Sequence, residues 1–147
     1  MNASTPYLNP GLARPAPTEG LDEPFWAGLR EEKLLLQRCA DCRGWQWGPE
    51  LVCHRCHSFD LRYEETEATG IIYSHQRVWH PVHPALAEQG PYIIVLVELP
   101  QADHVRMVGN LLGDPEQPLV IGAAVAGVYE HHHDEDPPHT LLQWVTV

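Results

Sequence analysis

The four cysteines of this chain fall within eighteen consecutive positions, Cys39 and Cys42 followed by Cys53 and Cys56, in the pattern C-x2-C-x10-C-x2-C. A C-x2-C turn aims two thiolates at one point, and two such turns facing each other make a tetrahedral four-sulfur shell. Zn2+ suits that shell because it imposes no d-electron geometry and accepts borderline-soft sulfur. Iron is the rival, since rubredoxins use the same ligand set; an iron–thiolate centre absorbs visible light and Zn2+ does not. Two disulfides would call for a secreted protein, and a redox C-x-x-C would stand alone beside a βαβ pattern. Four thiolates close the coordination shell, whereas a catalytic zinc keeps a position for water, so the expected role is structural. His54 and His57 lie among the ligands and are expected to face solvent. Gly44, Gly48 and Pro49 supply turns between the knuckles. A segment this short cannot bury a core of its own, so the metal is expected to hold it folded.

The remainder must supply the core. A chain of 147 residues, 44% hydrophobic and 20% charged, fits one ordinary domain or two small ones and is not disordered throughout. Its 14 Pro and 11 Gly favour short strands over long helices. The longest run free of strongly polar side chains, Leu119 to Tyr129, has eleven residues, against about 20 for a membrane helix. The N-terminus has no basic region followed by an apolar run. No membrane association and a cytoplasmic location are therefore expected. The net charge of −11 is uneven: −3 over residues 1–32, +2 over 33–62 and −10 over 63–147. Four thiolates around one Zn2+ carry a net charge of about −2, which cancels the middle segment. A nucleic-acid binder needs a basic footprint, so no nucleic-acid partner is expected.

Residues 1–20, with Pro6, Pro10, Pro15 and Pro17, read as a flexible Pro-rich arm. Asp22 is placed to cap a short helix with Pro24 in its first turn and Phe25, Trp26 and Leu29 on one face. Leu34 to Leu36 reads as a strand leading into Cys39. Trp45 and Trp47 share one side of a short strand, either packing over the metal or presenting a platform. Five further strands follow at Gly70–Trp79, Tyr92–Leu99, His104–Leu112, Ala123–Glu130 and Leu141–Val147, separated by Pro and Gly turns. The fold class is thus mainly β: a short N-terminal helix and a ribbon over residues 21–62, then a five-stranded OB-fold barrel over 63–147. His131, His132 and His133, with Asp134, Glu135, Asp136 and His139, read as a solvated hairpin loop. The rigid Trp79-His80-Pro81-Val82-His83-Pro84 segment lies between two strands, where such barrels bind ligands. No Ser/His/Asp set or free Cys nucleophile can be assembled, and the spacing Gly122 to Gly127 lacks the Lys-Ser/Thr of a phosphate loop. No catalytic residue is expected.

Over about residues 21–147 the chain resembles a family that pairs a rubredoxin-like zinc ribbon with an OB-fold and is associated with acyl-CoA metabolism. The resemblance is carried by Pro24-Phe25-Trp26 with Leu29-Arg30-Glu31, Leu34 to Cys39 leading into Cys42, and the Cys53/Cys56 knuckle. Downstream it is carried by Gly70-Ile71-Ile72-Tyr73-Ser74, the His80/His83/Pro84 loop, Pro91-Tyr92-Ile93-Ile94, Val97-Glu98-Leu99 and Gly109-Asn110-Leu111. The family carries Gly after each knuckle, where this chain has Arg43 and His57, and an aromatic-Pro-Pro run where it has Trp47-Gly48-Pro49. The resemblance implies a non-catalytic auxiliary subunit with structural zinc. It would bind acyl-CoA or dock onto a thiolase or acyl-CoA aldolase, with a MaoC-type hydratase as a further associate, in a hetero-oligomer of sterol or aromatic breakdown. Trp26, Trp45, Trp47 and Trp79 are then the expected contact side chains, with His80 and His83. Arg38, Arg43 and Arg55 are expected to meet the CoA phosphates, and the acidic barrel a basic partner surface. The alternatives are a nucleic-acid-binding zinc-ribbon/OB module and a rubredoxin-like electron carrier.

Overall fold

A computed structural model describes residues 2–3, 5–8, 11–12, 15 and 20–147. In chain order it contains β1 (Asn2–Ala3), α1 (Glu23–Arg30), β2 (Leu34–Cys39), β3 (Trp45–Gln46), β4 (Leu61–Thr66), β5 (Thr69–Val78), β6 (Tyr92–Leu99), β7 (Val105–Asn110), β8 (Ala124–His132) and β9 (His139–Thr146). A three-stranded antiparallel sheet, β3-β2-β4, forms the ribbon. The larger sheet runs β1-β8-β5-β6-β7, with β9 on β8. A parallel bridge between Leu111 and Trp144, and the Leu112 amide donating to the Trp144 carbonyl at 2.8 Å, bring the end of β7 onto β9. Strands β5 to β9 thereby make a nearly closed five-stranded barrel.

Strand β6 shows why. Its sequence YIIVLVEL alternates so that Ile93, Val95, Val97 and Leu99 are all fully buried, each pointing into the barrel. In α1, Phe25 and Leu29 stand one turn apart and are buried, while Trp26 is half-buried. Asp22 holds the cap position, but its carboxylate accepts from the Trp26 indole Nε1 at 2.8 Å and makes no side-chain cap to the backbone. The expected capping role is thus replaced by a helix-to-aromatic tie.

Phe25, Leu29, Leu34, Leu36 and Trp45 belong to the same buried cluster as Ile72, Met107, Leu142 and Trp144 of the barrel. The ribbon therefore leans on the barrel's core and not on the metal alone. Asp103, in the turn after β6, strengthens the junction by accepting from the Trp45 amide at 2.9 Å. Strand β4 was not foreseen from the sequence; it pairs along all of β2, from Leu34 opposite Thr66 to Cys39 opposite Leu61.

The histidine-rich hairpin is more ordered than a solvated loop. Pairing continues to His132 opposite His139, whose rings stack at 4.5 Å, and His131 sits between Thr140 Oγ1 at 2.9 Å and Glu32 Oε1 at 3.1 Å. His132 Nε2 lies 2.8 Å from the buried Glu130 carboxylate. Of the arm expected over residues 1–20, positions 1, 4, 9–10, 13–14 and 16–19 lie outside the described residues. Its described part includes β1, which pairs parallel with β8, and Tyr7, whose amide donates to Glu130 Oε2 at 3.1 Å. Among the described residues, no helix is long and apolar enough to cross a membrane.

One ion-pair cluster on the barrel gives a pH prediction. Half-buried Glu98 accepts from Arg106 Nε at 2.9 Å and lies 3.1 Å from His104 Nδ1. The Arg106 guanidinium, then His104, holds its carboxyl below the usual carboxylate value of 4.5. A depressed folded-state pKa contributes stability that is present above pH 4.5 and lost as pH falls through the folded value. The melting-temperature gap between wild type and Glu98→Gln should be constant at neutral pH and close as the pH falls below 4.5; a gap independent of pH would exclude this linkage.

Candidate metal centre and aromatic cleft

The end of β2 delivers Cys39, and the following turn delivers Cys42; Cys53 and Cys56 come from the loop between β3 and β4. Two buried glutamines fix that loop. Gln37 Nε2 donates to the Glu50 carbonyl at 3.0 Å, and its Oε1 accepts from Gln46 Nε2 at 3.0 Å and the Glu50 amide at 2.9 Å. Gln46 Oε1 then accepts from the His54 amide at 3.2 Å, just past Cys53. These residues carried no recognisable signal in the sequence beyond being polar within apolar strands.

The four sulfurs lie within 4.8 Å of one another, with Cys39 Sγ–Cys56 Sγ and Cys42 Sγ–Cys53 Sγ both 3.6 Å. Four sulfurs about 2.3 Å from a common tetrahedral ion stand about 3.8 Å apart, so the set fits a metal. Among the described residues, it is the one group of three or more His, Cys, Asp or Glu side chains that converges in this way. His54 and His57 are exposed, as expected.

Each knuckle closes by the same bonds. The Arg43 amide donates to the Cys39 carbonyl and the His57 amide to the Cys53 carbonyl, both at 3.0 Å. The Gly44 amide points at Cys42 Sγ and the Arg55 amide at Cys53 Sγ, both at 3.4 Å. Backbone amides, Cys56 first and then Arg55, pull the Cys53 thiol down to about 6, and the Cys42 amide pulls Cys39 down. The Ser58 amide pulls on Cys56 as well, but desolvation and the surrounding thiols push it up to about 12. The sulfurs therefore resist ionising together, and a central divalent cation is what lets all four do so.

Where the family carries Gly after each knuckle, Arg43 and His57 both adopt φ of 61°. A side chain in this left-handed region costs about 1 kcal/mol. His57→Gly is accordingly expected to raise unfolding stability by about 0.5–1 kcal/mol. Arg43→Gly should gain less, because Arg43 also pairs with Glu64 at 2.8 Å. Denaturant midpoints of the metal-loaded variants measure both, and destabilisation by His57→Gly would contradict the strain argument.

The expected contact residues separate into three places. Arg38, Arg43 and Arg55 sit on the knuckle side, and all three hold carboxylates: Glu64 lies 2.9 Å from Arg38 and 2.8 Å from Arg43, and Asp103 lies 3.2 Å from Arg55. Arg38 and Arg43 together hold the Glu64 carboxyl below its usual range, Arg43 first. Trp45 is buried, with the Arg38 guanidinium 4.7 Å over its ring, so it packs the ribbon and presents no platform.

Trp26 and Trp47 lie elsewhere, on a cleft of about 280 Å³ between α1, β7 and β9, with the Phe25 ring centroid 4.3 Å from that of Trp47 and the two rings tilted by 48°. Its other walls come from Met107 to Asn110 and from Leu141 to Gln143. Trp79, His80 and His83 form the third place, the loop after β5; all are exposed, and His83 Nδ1 accepts from the Ala85 amide at 3.1 Å. Arg77, two residues before Trp79, was not singled out from the sequence. Its spacing, which puts both side chains on one face of an extended strand, was the available signal.

A four-sulfur ribbon packed on a small five-stranded barrel defines a zinc-ribbon/OB-fold scaffold. Residues 26–62 match the family described as "ChsH2, rubredoxin-like zinc ribbon domain", and residues 63–130 match "ChsH2, C-terminal OB-fold domain". A solved structure described as "Ltp2-ChsH2(DUF35) aldolase" contains a chain 32% identical to this one, with a TM-score of 0.73, covering 90% of this chain and 98% of that one. This chain belongs to the ChsH2 (DUF35) family. A DUF35 protein of unknown function from Sulfolobus solfataricus shares the fold at 16% identity and a TM-score of 0.57, covering 88% of this chain and 87% of that one. Two curated relatives are longer. A probable enoyl-CoA hydratase alpha subunit of Thermomonospora curvata is 37% identical over 79% of this chain and 35% of its own length. The 3-oxo-4,17-pregnadiene-20-carboxyl-CoA hydratase alpha subunit of Mycobacterium tuberculosis is 28% identical over 82% of this chain and 36% of its own. The chain thus spans about a third of the length of these relatives.

Proposed function

We propose that this chain is an auxiliary subunit, without chemistry of its own, that docks onto a thiolase-superfamily enzyme acting on acyl-CoA thioesters. The carrying observation is the aromatic cleft. Phe25, Trp26 and Trp47 gather beside the facing edges of β7 and β9, and tryptophans at the centre of an apolar recess are the usual anchors of a protein interface. The four sulfurs form a closed shell that suits structural Zn2+ and leaves no position for substrate. The aldolase named in the matching solved structure supports an aldolase-type partner. The curated relatives support a hydratase as a second associate, since both are named as hydratase alpha subunits.

The test is co-expression with a thiolase-like enzyme from the same source, followed by co-purification and an acyl-CoA cleavage assay. Wild type should co-purify and raise cleavage, and Trp47→Ala and Trp26→Ala should each weaken the complex about tenfold or more. Metal analysis should return one zinc per chain and a colourless protein. Thioester turnover by the chain alone, or full assembly of both tryptophan variants, would overturn the reading.

A further inference from the structure

We propose that the cleft around Arg77 and Trp79 binds the phosphorylated adenine nucleotide end of a CoA thioester, with phosphate on the Arg77 guanidinium and the base against the Trp79 indole. This rests on the reading that the subunit serves an acyl-CoA enzyme, and it moves the phosphate contact away from the knuckle arginines.

The charge bookkeeping singles out Arg77. The chain carries −11 and has nine Lys and Arg residues. Among the described residues, Arg30, Lys33, Arg38, Arg43, Arg55, Arg62 and Arg106 each have a carboxylate oxygen within 3.3 Å. Arg77 is the one described Lys or Arg with no carboxylate at ion-pair distance. Its guanidinium donates to the Gln117 carbonyl at 2.5 Å, and its Nε is buried with no hydrogen-bond partner. An uncompensated guanidinium in an acidic protein is a standing site for an anion.

The surroundings supply the rest of a nucleotide site. His75, Arg77 and Trp79 follow one another at every second position and line a cleft of about 460 Å³, within the range of small-molecule pockets. Trp79 is 51% exposed, and the Arg77 guanidinium carbon stands 5.3 Å from its ring centroid. A flat base on the indole edge and a phosphate on the guanidinium would therefore lie side by side. Glu116, also on the wall, offers an acceptor for a ribose hydroxyl or the adenine amino group. One cation cannot track a polyanion against the −10 of residues 63–147, so a single nucleotide fits where a nucleic acid does not.

The probes are CoA, adenosine 3′,5′-bisphosphate, pantetheine and inorganic phosphate, titrated calorimetrically into the full metal-loaded chain, alone and assembled with its enzyme partner. CoA and the bisphosphate should bind and compete, and pantetheine should not. Arg77→Gln should weaken CoA binding at least tenfold, and exposed Trp79→Ala at least fivefold. Arg55→Gln should leave it unchanged. In the assembled enzyme, Arg77→Gln should raise KM for the acyl-CoA with kcat preserved. Binding of pantetheine but not the bisphosphate, no binding of the bisphosphate in either state, or unchanged affinity in both Arg77→Gln and Trp79→Ala would overturn the proposal. If those variants bind normally while the chain still raises acyl-CoA cleavage by its partner, the site is wrong and the auxiliary role stands. Absence of any partner effect removes the role itself.

Discussion

Stripping the metal with a chelator is expected to unfold the two knuckles, residues 40–44 and 48–60, while β3, held by Trp45 in the core, and β5 to β9 stay folded. Between β3 and β4 the chain makes no regular secondary structure, and Leu51 and Phe59 there are 68% and 82% exposed. Little apolar area is therefore buried in this segment to offset its conformational entropy. A structural zinc contributes about 10–16 kcal/mol in small modules, comparable to the whole stability of a domain, about 5–15 kcal/mol. The barrel differs, because Ile93, Val95, Val97, Leu99 and Trp144 are fully buried without reference to the metal. Leu34 and Leu36 of β2 pack into that same core, so the first half of β2 should also survive. Amide hydrogen exchange tests this directly. The amides of Arg43, Cys53 and His57, bonded within the knuckles, should lose protection on chelation, and those of β6 should keep it. Cys39→Ser and Cys53→Ser should be more damaging than Cys42→Ser, since Cys39 and Cys53 are buried and Cys42 is exposed. Retained protection of the knuckle amides in metal-free protein would show that the ribbon holds itself.

What could be foreseen from the sequence was what is encoded locally. Cysteine spacing is a four-residue matter, and the metal set follows from it. The strand Tyr92–Leu99 has the bounds expected of it, and the strand expected from Leu34 to Leu36 runs on to Cys39, because apolar runs and period-two alternation are visible within a few residues. Strand Leu61–Thr66 escaped because LRYEET has no apolar face; it is held by pairing with β2, where its Glu64 meets Arg38 and Arg43. The expectation that phosphates meet the knuckle arginines has the same local origin. Arg38, Arg43 and Arg55 look like a basic patch in one dimension, but the carboxylates that neutralise them, Glu64 and Asp103, come from later strands and turns. In the sequence Arg77 shows only its two-residue spacing from Trp79, and the absence of a carboxylate partner among the described residues needs the folded chain to be seen. The aromatic cleft likewise needs α1, β7 and β9 together, which no local pattern reports.

Gly109→Ala is expected to destabilise the barrel by about 2–3 kcal/mol, and its cost should shrink when Trp144 is made smaller. Gly109 lies where β7 meets β9 to complete the barrel. A Cβ there would stand 2.8 Å from both Cδ1 and Nε1 of the Trp144 ring and 3.1 Å from the Leu142 carbonyl oxygen. Trp144 is fully buried and cannot swing aside, so either the ring or the strand must move. Trp144→Leu alone leaves a cavity and should cost about 3 kcal/mol or more. In the double variant the smaller side chain makes room for the new methyl, so the combined loss should fall short of the sum by about 1 kcal/mol or more. For a chain of this size, 2–3 kcal/mol corresponds to roughly 5–10 °C in melting temperature, which calorimetry resolves readily. Strict additivity would mean that β7 and β9 are not pressed together at this point. The consequence reaches the proposed docking cleft, because Gly109 and Leu142 also line it beside Trp26 and Trp47. Forcing the two strands apart widens the recess that the partner enzyme would fill. Gly109→Ala should therefore weaken assembly even at temperatures where the subunit remains folded, and in a Trp144→Leu background the same substitution should cost less in both stability and docking.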